Sequence, residues 1–116
     1  MFQSSYAEVL EEDQSTARSQ EAEALDRSIA LMEEAGRLEG DKVRTIEAAH
    51  YTRQLWTHFL TDLASPENDI ETKTKANLIS VGIWILKELQ RMRDMRVNDF
   101  RPIIEVSMAI REGLDD

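Results

Sequence analysis

Only four glycines and two prolines punctuate this 116-residue chain, at Gly36, Gly40, Pro66, Gly82, Pro102 and Gly113. Between them lie long runs rich in Ala, Leu, Glu, Arg and Met, residues that enter a helix at low cost. A chain so rarely interrupted has little choice but to be all-α. Its length suits one domain, since domains cluster at about 100–150 residues. Residues 1–116 therefore read as a single helical domain, with a short N-terminal arm (1–14) and a bundle (15–116). The hydrophobic fraction of 41% supplies enough apolar material for one core.

The arm carries Tyr6, Val9 and Leu10 at helical spacing but is too short to be stable alone. Ser15 is a candidate N-cap for a first long helix ending near Leu38, with Ala22, Leu25, Ile29 and Met32 as its apolar stripe. Gly40-Asp41 reads as a turn leading into a new cap. A second helix is expected over 42–64, with the stripe Ile46, Ala49, Arg53, Trp56, Leu60 and Leu63 and with Phe59 alongside. Ser65-Pro66 stops it, because proline disfavours helical geometry in the residue before it. A third helix is expected over 72–96. Its middle, Leu78 to Leu86, is apolar nearly all round, so it reads as the central, most buried helix. Asn98 or Asp99 can cap a last helix with the stripe Ile103, Ser107, Ile110 and Leu114. Short connections between helices favour antiparallel neighbours, giving a bundle of three to four main helices.

The net charge of −9 is unevenly spread. Residues 1–40 hold ten acids against Arg18, Arg27 and Arg37, whereas 41–66 balance. An acidic first third repels phosphates and anionic lipid, so direct nucleic-acid binding is not expected. The cluster Lys87, Arg91, Arg93 and Arg96 reads as a solvated helix end placed favourably for the helix dipole. No cysteine is present, which removes disulfides and thiolate metal sites and suits a reducing cytosol. No apolar run approaches the roughly 20 residues of a membrane span. The first six residues lack a basic region followed by an apolar run, so no secretory signal is expected and the chain reads as cytoplasmic.

Catalytic and cofactor chemistry finds little support. Glu47 and His50 have the Glu-x-x-His spacing of di-iron bundles, but a second pair is missing, since Leu55 stands three residues before His58. His58 and Asp62 could hydrogen-bond, yet there is no Gly-x-Ser-x-Gly elbow and no phosphate-binding glycine loop. The expectation is a non-enzymatic protein without metal or cofactor. Trp56 and Trp84 each sit on an apolar stripe and read as core, with a groove lining as the alternative. Methionine is adaptable and lines some helix-binding grooves. Met92 and Met95, near a helix end, read as an exposed pair. With Tyr6, Val9 and Leu10 they are the candidate partner contacts.

Several segments, in order, carry a family resemblance. They are Ser5-Tyr6-Ala7-Glu8, Ala24-Leu25-Asp26-Arg27-Ser28-Ile29, Leu55-Trp56, Asp62 to Asn68, Ala76 to Trp84, Ile104-Glu105-Val106 and Ile110 to Leu114. Together they resemble the bacterial flagellar biosynthesis regulator FlaF over nearly the whole length. The resemblance implies a cytoplasmic, non-enzymatic factor for flagellin production and secretion. Its implied partners are flagellin, as client of a secretion chaperone, and FlbT, a companion regulator acting on flagellin mRNA. It supplies no catalytic residues. A regulator acting through FlbT or on the messenger, and a bundle that homodimerises through an apolar face, stand as alternatives.

Overall fold

The computed structural model describes the backbone of residues 2–115 and the side chains of residues 17–113. Four α-helices follow one another: α1 (Phe2–Arg37), α2 (Lys42–Ala64), α3 (Thr72–Met95) and α4 (Arg101–Asp115). The described residues contain no strand, and the chain is an all-α bundle.

The turns are built from the residues that the sequence singles out. Gly40 takes φ +87°, a left-handed conformation that favours glycine. Asp41 then caps α2, its side chain accepting the Arg44 N–H at 3.1 Å. After α2 the Ser65 hydroxyl accepts the Glu67 N–H at 3.3 Å. At the far end of α3, Arg96 adopts the left-handed conformation (φ 54°), and the next N–H, of Val97, reaches back to the Met92 carbonyl. Asp99 accepts the Arg101 N–H at 3.1 Å where α4 begins.

One boundary differs from expectation. The chain does not start a new helix at Ser15, because α1 runs unbroken from Phe2 to Arg37. No glycine or proline lies between Phe2 and Ala35, so no residue there forces a break, and a serine within a helix loses little.

Side-chain pairs fix the directions. Ser28 meets Thr52 and Glu34 meets Arg44, so residue numbers rise on α1 as they fall on α2, which makes the pair antiparallel. On α4, Arg111 binds Asp26 of α1, while the start of α4 lies near Met32 and Ala35. On α3, Gly82 faces Trp56 and Leu60 of α2. Thus α1 packs on α2 and α4, and α3 packs on α2.

The core gathers Leu25, Ile29 and Met32 from α1, Ala48, Leu55 and Trp56 from α2, Ile85, Leu89 and Met92 from α3, Phe100 just before α4 and Ile103 on α4. Two expectations are corrected here. The buried face of α2 runs through Ala48, Thr52, Leu55 and Trp56, and Ile46 is 67% exposed. Thr52 enters the core because its hydroxyl lies 2.8 Å from that of Ser28, so each satisfies the other away from water. The other correction concerns α3, which is a flanking helix. Its Ile83 and Trp84 face outward, and the central pair is α1 and α2.

Gly82 sets how closely α3 approaches. A Cβ there would stand 2.8 Å from Leu60 Cδ2 and 3.0 Å from Trp56 Cε3. Gly82→Val is therefore expected to destabilise the fold by about 1–3 kcal/mol through overpacking, measured by chemical denaturation. An unchanged midpoint would mean that α3 can retreat freely.

Candidate protein-binding surface

The α2–α3 seam opens into a groove of about 420 Å³ near the start of α2 and the end of α3. Ile46, Ala49, Leu89, Met92 and Phe100 give it an apolar lining, and His50, Arg53 and Arg93 are its titratable residues. No carboxylate lines it, although the protein as a whole carries −9. Neither Arg53 nor Arg93 forms an ion pair among the described residues. Ile46 and, one turn earlier, Val43 are large aliphatics left to solvent. Such residues in a rimmed concavity are what a partner's amphipathic helix covers.

The candidate contacts divide. Met95 is 62% exposed, its sulfur 3.9 Å from an Arg91 nitrogen. Met92 is only 5% exposed and belongs to the core, so the expected exposed pair is corrected to Met95 alone. On a helix packed by its Gly82-Ile85-Leu89 face, position 92 continues that face and position 95 turns away from it. The side chains of Tyr6, Val9 and Leu10 lie outside the described residues. Ile46 and Val43 were not singled out as contacts, because the stripe that includes Ile46 pointed it inward.

The opposite end of the bundle holds a smaller apolar cavity of about 80 Å³, lined by Trp56, Phe59, Leu63, Leu78 and Ile110, with Glu21 and Asp62 at its edge. Trp56 and Phe59 meet edge to face at 5.2 Å. Trp56 Nε1 and Ser107 Oγ are buried without a hydrogen-bond partner among the described residues. Desolvation, followed by the Asp62 charge, raises the Glu21 pKa above its ordinary 4.5. The folded state therefore holds that proton more tightly than the unfolded chain. Stability declines as pH rises from the ordinary value through the raised one, and stays lower above it. Glu21→Gln is expected to raise the melting temperature at pH 7 and leave it nearly unchanged at pH 3, as read by thermal melts. An equal shift at both pH values would point to packing instead of charge.

Asp62 accepts from Asn68 at 3.3 Å, a local bond that steadies the α2–α3 turn. Glu47 lies 3.9 Å from the Arg44 guanidinium, and no group of three potential metal ligands occurs among the described residues. In the basic cluster, Arg91 is held by Glu88 at 3.0 Å, while Arg93 borders the groove.

A family model described as flagellar protein FlaF matches residues 2–114. The chain belongs to the FlaF family. The match spans all four helices, so both the groove and the bundle-end cavity lie within the family domain. No curated protein and no solved structure matches the chain. No helix among the described residues is long and apolar enough to cross a membrane.

Proposed function

We propose that this FlaF-family protein binds flagellin in the cytoplasm as a chaperone and regulator, promoting flagellin synthesis and secretion during flagellum assembly. The observation that carries the reading is an open apolar groove, with exposed Ile46 and Val43 beside it, on a flagellar-family bundle. Flagellin termini are amphipathic helices that aggregate when bare, and helix-in-groove packing covers such a face. Met95, exposed on the last turn of α3 outside the groove lining, and Tyr6, Val9 and Leu10 on the N-terminal part of α1 are further contacts in this reading. The reading involves no reaction and no cofactor.

The test is size-exclusion chromatography with light scattering on mixtures with purified monomeric flagellin and, separately, with FlbT. A stoichiometric flagellin complex supports the proposal. A complex with FlbT alone would move the protein to post-transcriptional regulation. Within the complex, Ile46→Asp is expected to weaken flagellin binding more than tenfold, about 1.4 kcal/mol, with an unchanged melting temperature because the side chain is already exposed. Titration calorimetry reads the affinity, and an unaltered dissociation constant would remove the groove from the model.

A further inference from the structure

We infer that the α2–α3 groove receives the acidic N-terminal stretch of α1 from a second copy of this chain, in a reciprocal antiparallel dimer. Three observations converge on that occupant. The first is charge. The groove's titratable residues are His50, Arg53 and Arg93, on a protein whose net negative charge sits mostly in residues 1–40, with ten acids against three arginines. Glu8, Glu11, Glu12 and Asp13 lie at the start of α1 with no basic residue before Arg18. The acidic first third of one copy repels that of another, whereas this groove, with cationic side chains and no carboxylate in its lining, attracts it.

The second is pattern. Tyr6, Val9 and Leu10 stand at i, i+3 and i+4, the spacing of anchors from a helix into a groove. The groove runs along α2 from Thr45 to Arg53, about 12 Å of helix, which takes two turns of such a ligand.

The third is reach. Ser28 pairs with Thr52, so the last residue of α2 stands opposite about residue 16 of α1. Helix α1 starts at Phe2 and so continues about 20 Å past the end of α2. The groove lies at the other end of the bundle, beside the start of α2 and the end of α3. Two copies side by side and head to tail bring each α1 extension to the other's groove. The contact then repeats by a two-fold axis and closes, with no edge left to propagate. The second copy's arm and the flagellin of the proposed function compete for one groove, and because the dimer is tested without flagellin, failure of this inference is distinguishable from failure of that reading.

The experiment is sedimentation equilibrium of the full chain from micromolar to submillimolar concentration, at low and high salt. The expected mass is twice the monomer's 13.4 kDa, with dissociation favoured by salt. A groove-reversed variant, Arg53→Glu with Arg93→Glu, and an arm-reversed variant, Glu8→Lys with Glu11→Lys and Glu12→Lys, are each expected to be monomeric. Mixed one to one, they are expected to regain the dimer mass, because each groove then meets an arm of opposite charge. Circular dichroism checks that each remains helical, and Ile46→Glu serves as a second groove lesion if a reversed variant is not. A monomeric parent, a dimer indifferent to both reversals, or a mixture that stays monomeric would overturn the inference.

Discussion

Replacing Trp56 by alanine is expected to destabilise the bundle by about 3–5 kcal/mol, the range for deleting a large buried aromatic. The side chain is 1% exposed, meets Phe59 edge to face, and stands against the Gly82 backbone where α3 crosses α2. Its removal would enlarge the cavity of about 80 Å³ that it already lines, and the penalty grows with the void left unfilled. Domains of this size have only about 5–15 kcal/mol in total, so the melting temperature should fall by at least about 10 °C. Trp84 is the control. It is 37% exposed on the outer side of α3, and its alanine variant should lose roughly 1 kcal/mol, near the middle of the range for point substitutions. Trp56→Phe is a second comparison. It keeps most of the ring volume and removes an Nε1–H that has no partner among the described residues, so it should lose less than half of what alanine does. Thermal melts of the three variants read these differences. Equal losses at Trp56 and Trp84 would mean that α3 is wrapped on both sides.

The second large effect separates two methionines three residues apart. Met92→Ala is expected to cost about 2–5 kcal/mol, since Met92 is 5% exposed and packs within the core cluster. Met95→Ala should stay within about 0.5 kcal/mol, because its side chain stands 62% in solvent, with its sulfur 3.9 Å from an Arg91 nitrogen. Urea denaturation at constant m-value measures both. In the proposed flagellin complex the order should reverse, with Met95→Ala weakening the complex at full stability. A Met95 variant as unstable as the Met92 one would place the end of α3 inside the bundle.

The helices and their breaks were legible because they rest on local chemistry. Gly40-Asp41, Ser65-Pro66 and Asp99 act through backbone dihedrals and caps that involve only their neighbours, and the structure uses all three sites. Ser15 misled because a capping residue can also sit inside a helix, and what ends or starts a helix there is context. The inward face of α2 was rotated for a related reason. Thr52 looks like a surface residue until Ser28, on another helix, is brought within 2.8 Å of it. The groove is less legible still. Ile46, Arg53 and Arg93 share it, but they come from helices whose relative position no single segment encodes.

By itself, the sequence determined an all-α chain with three well-placed turns, an acidic first third and the segments that carry the FlaF resemblance. Helix propensity, proline and glycine geometry, and charge count are properties of residues and their near neighbours. The tertiary structure alone decided that α1 and α2 are the central pair, that Met92 is core while Met95 is surface, and that Ile46 stands bare beside cationic side chains. Those outcomes depend on which apolar faces meet when four helices close around one core. Apolar residues such as Ile83 and Trp84 can be left outside because a flanking helix buries mainly the one face that meets α2.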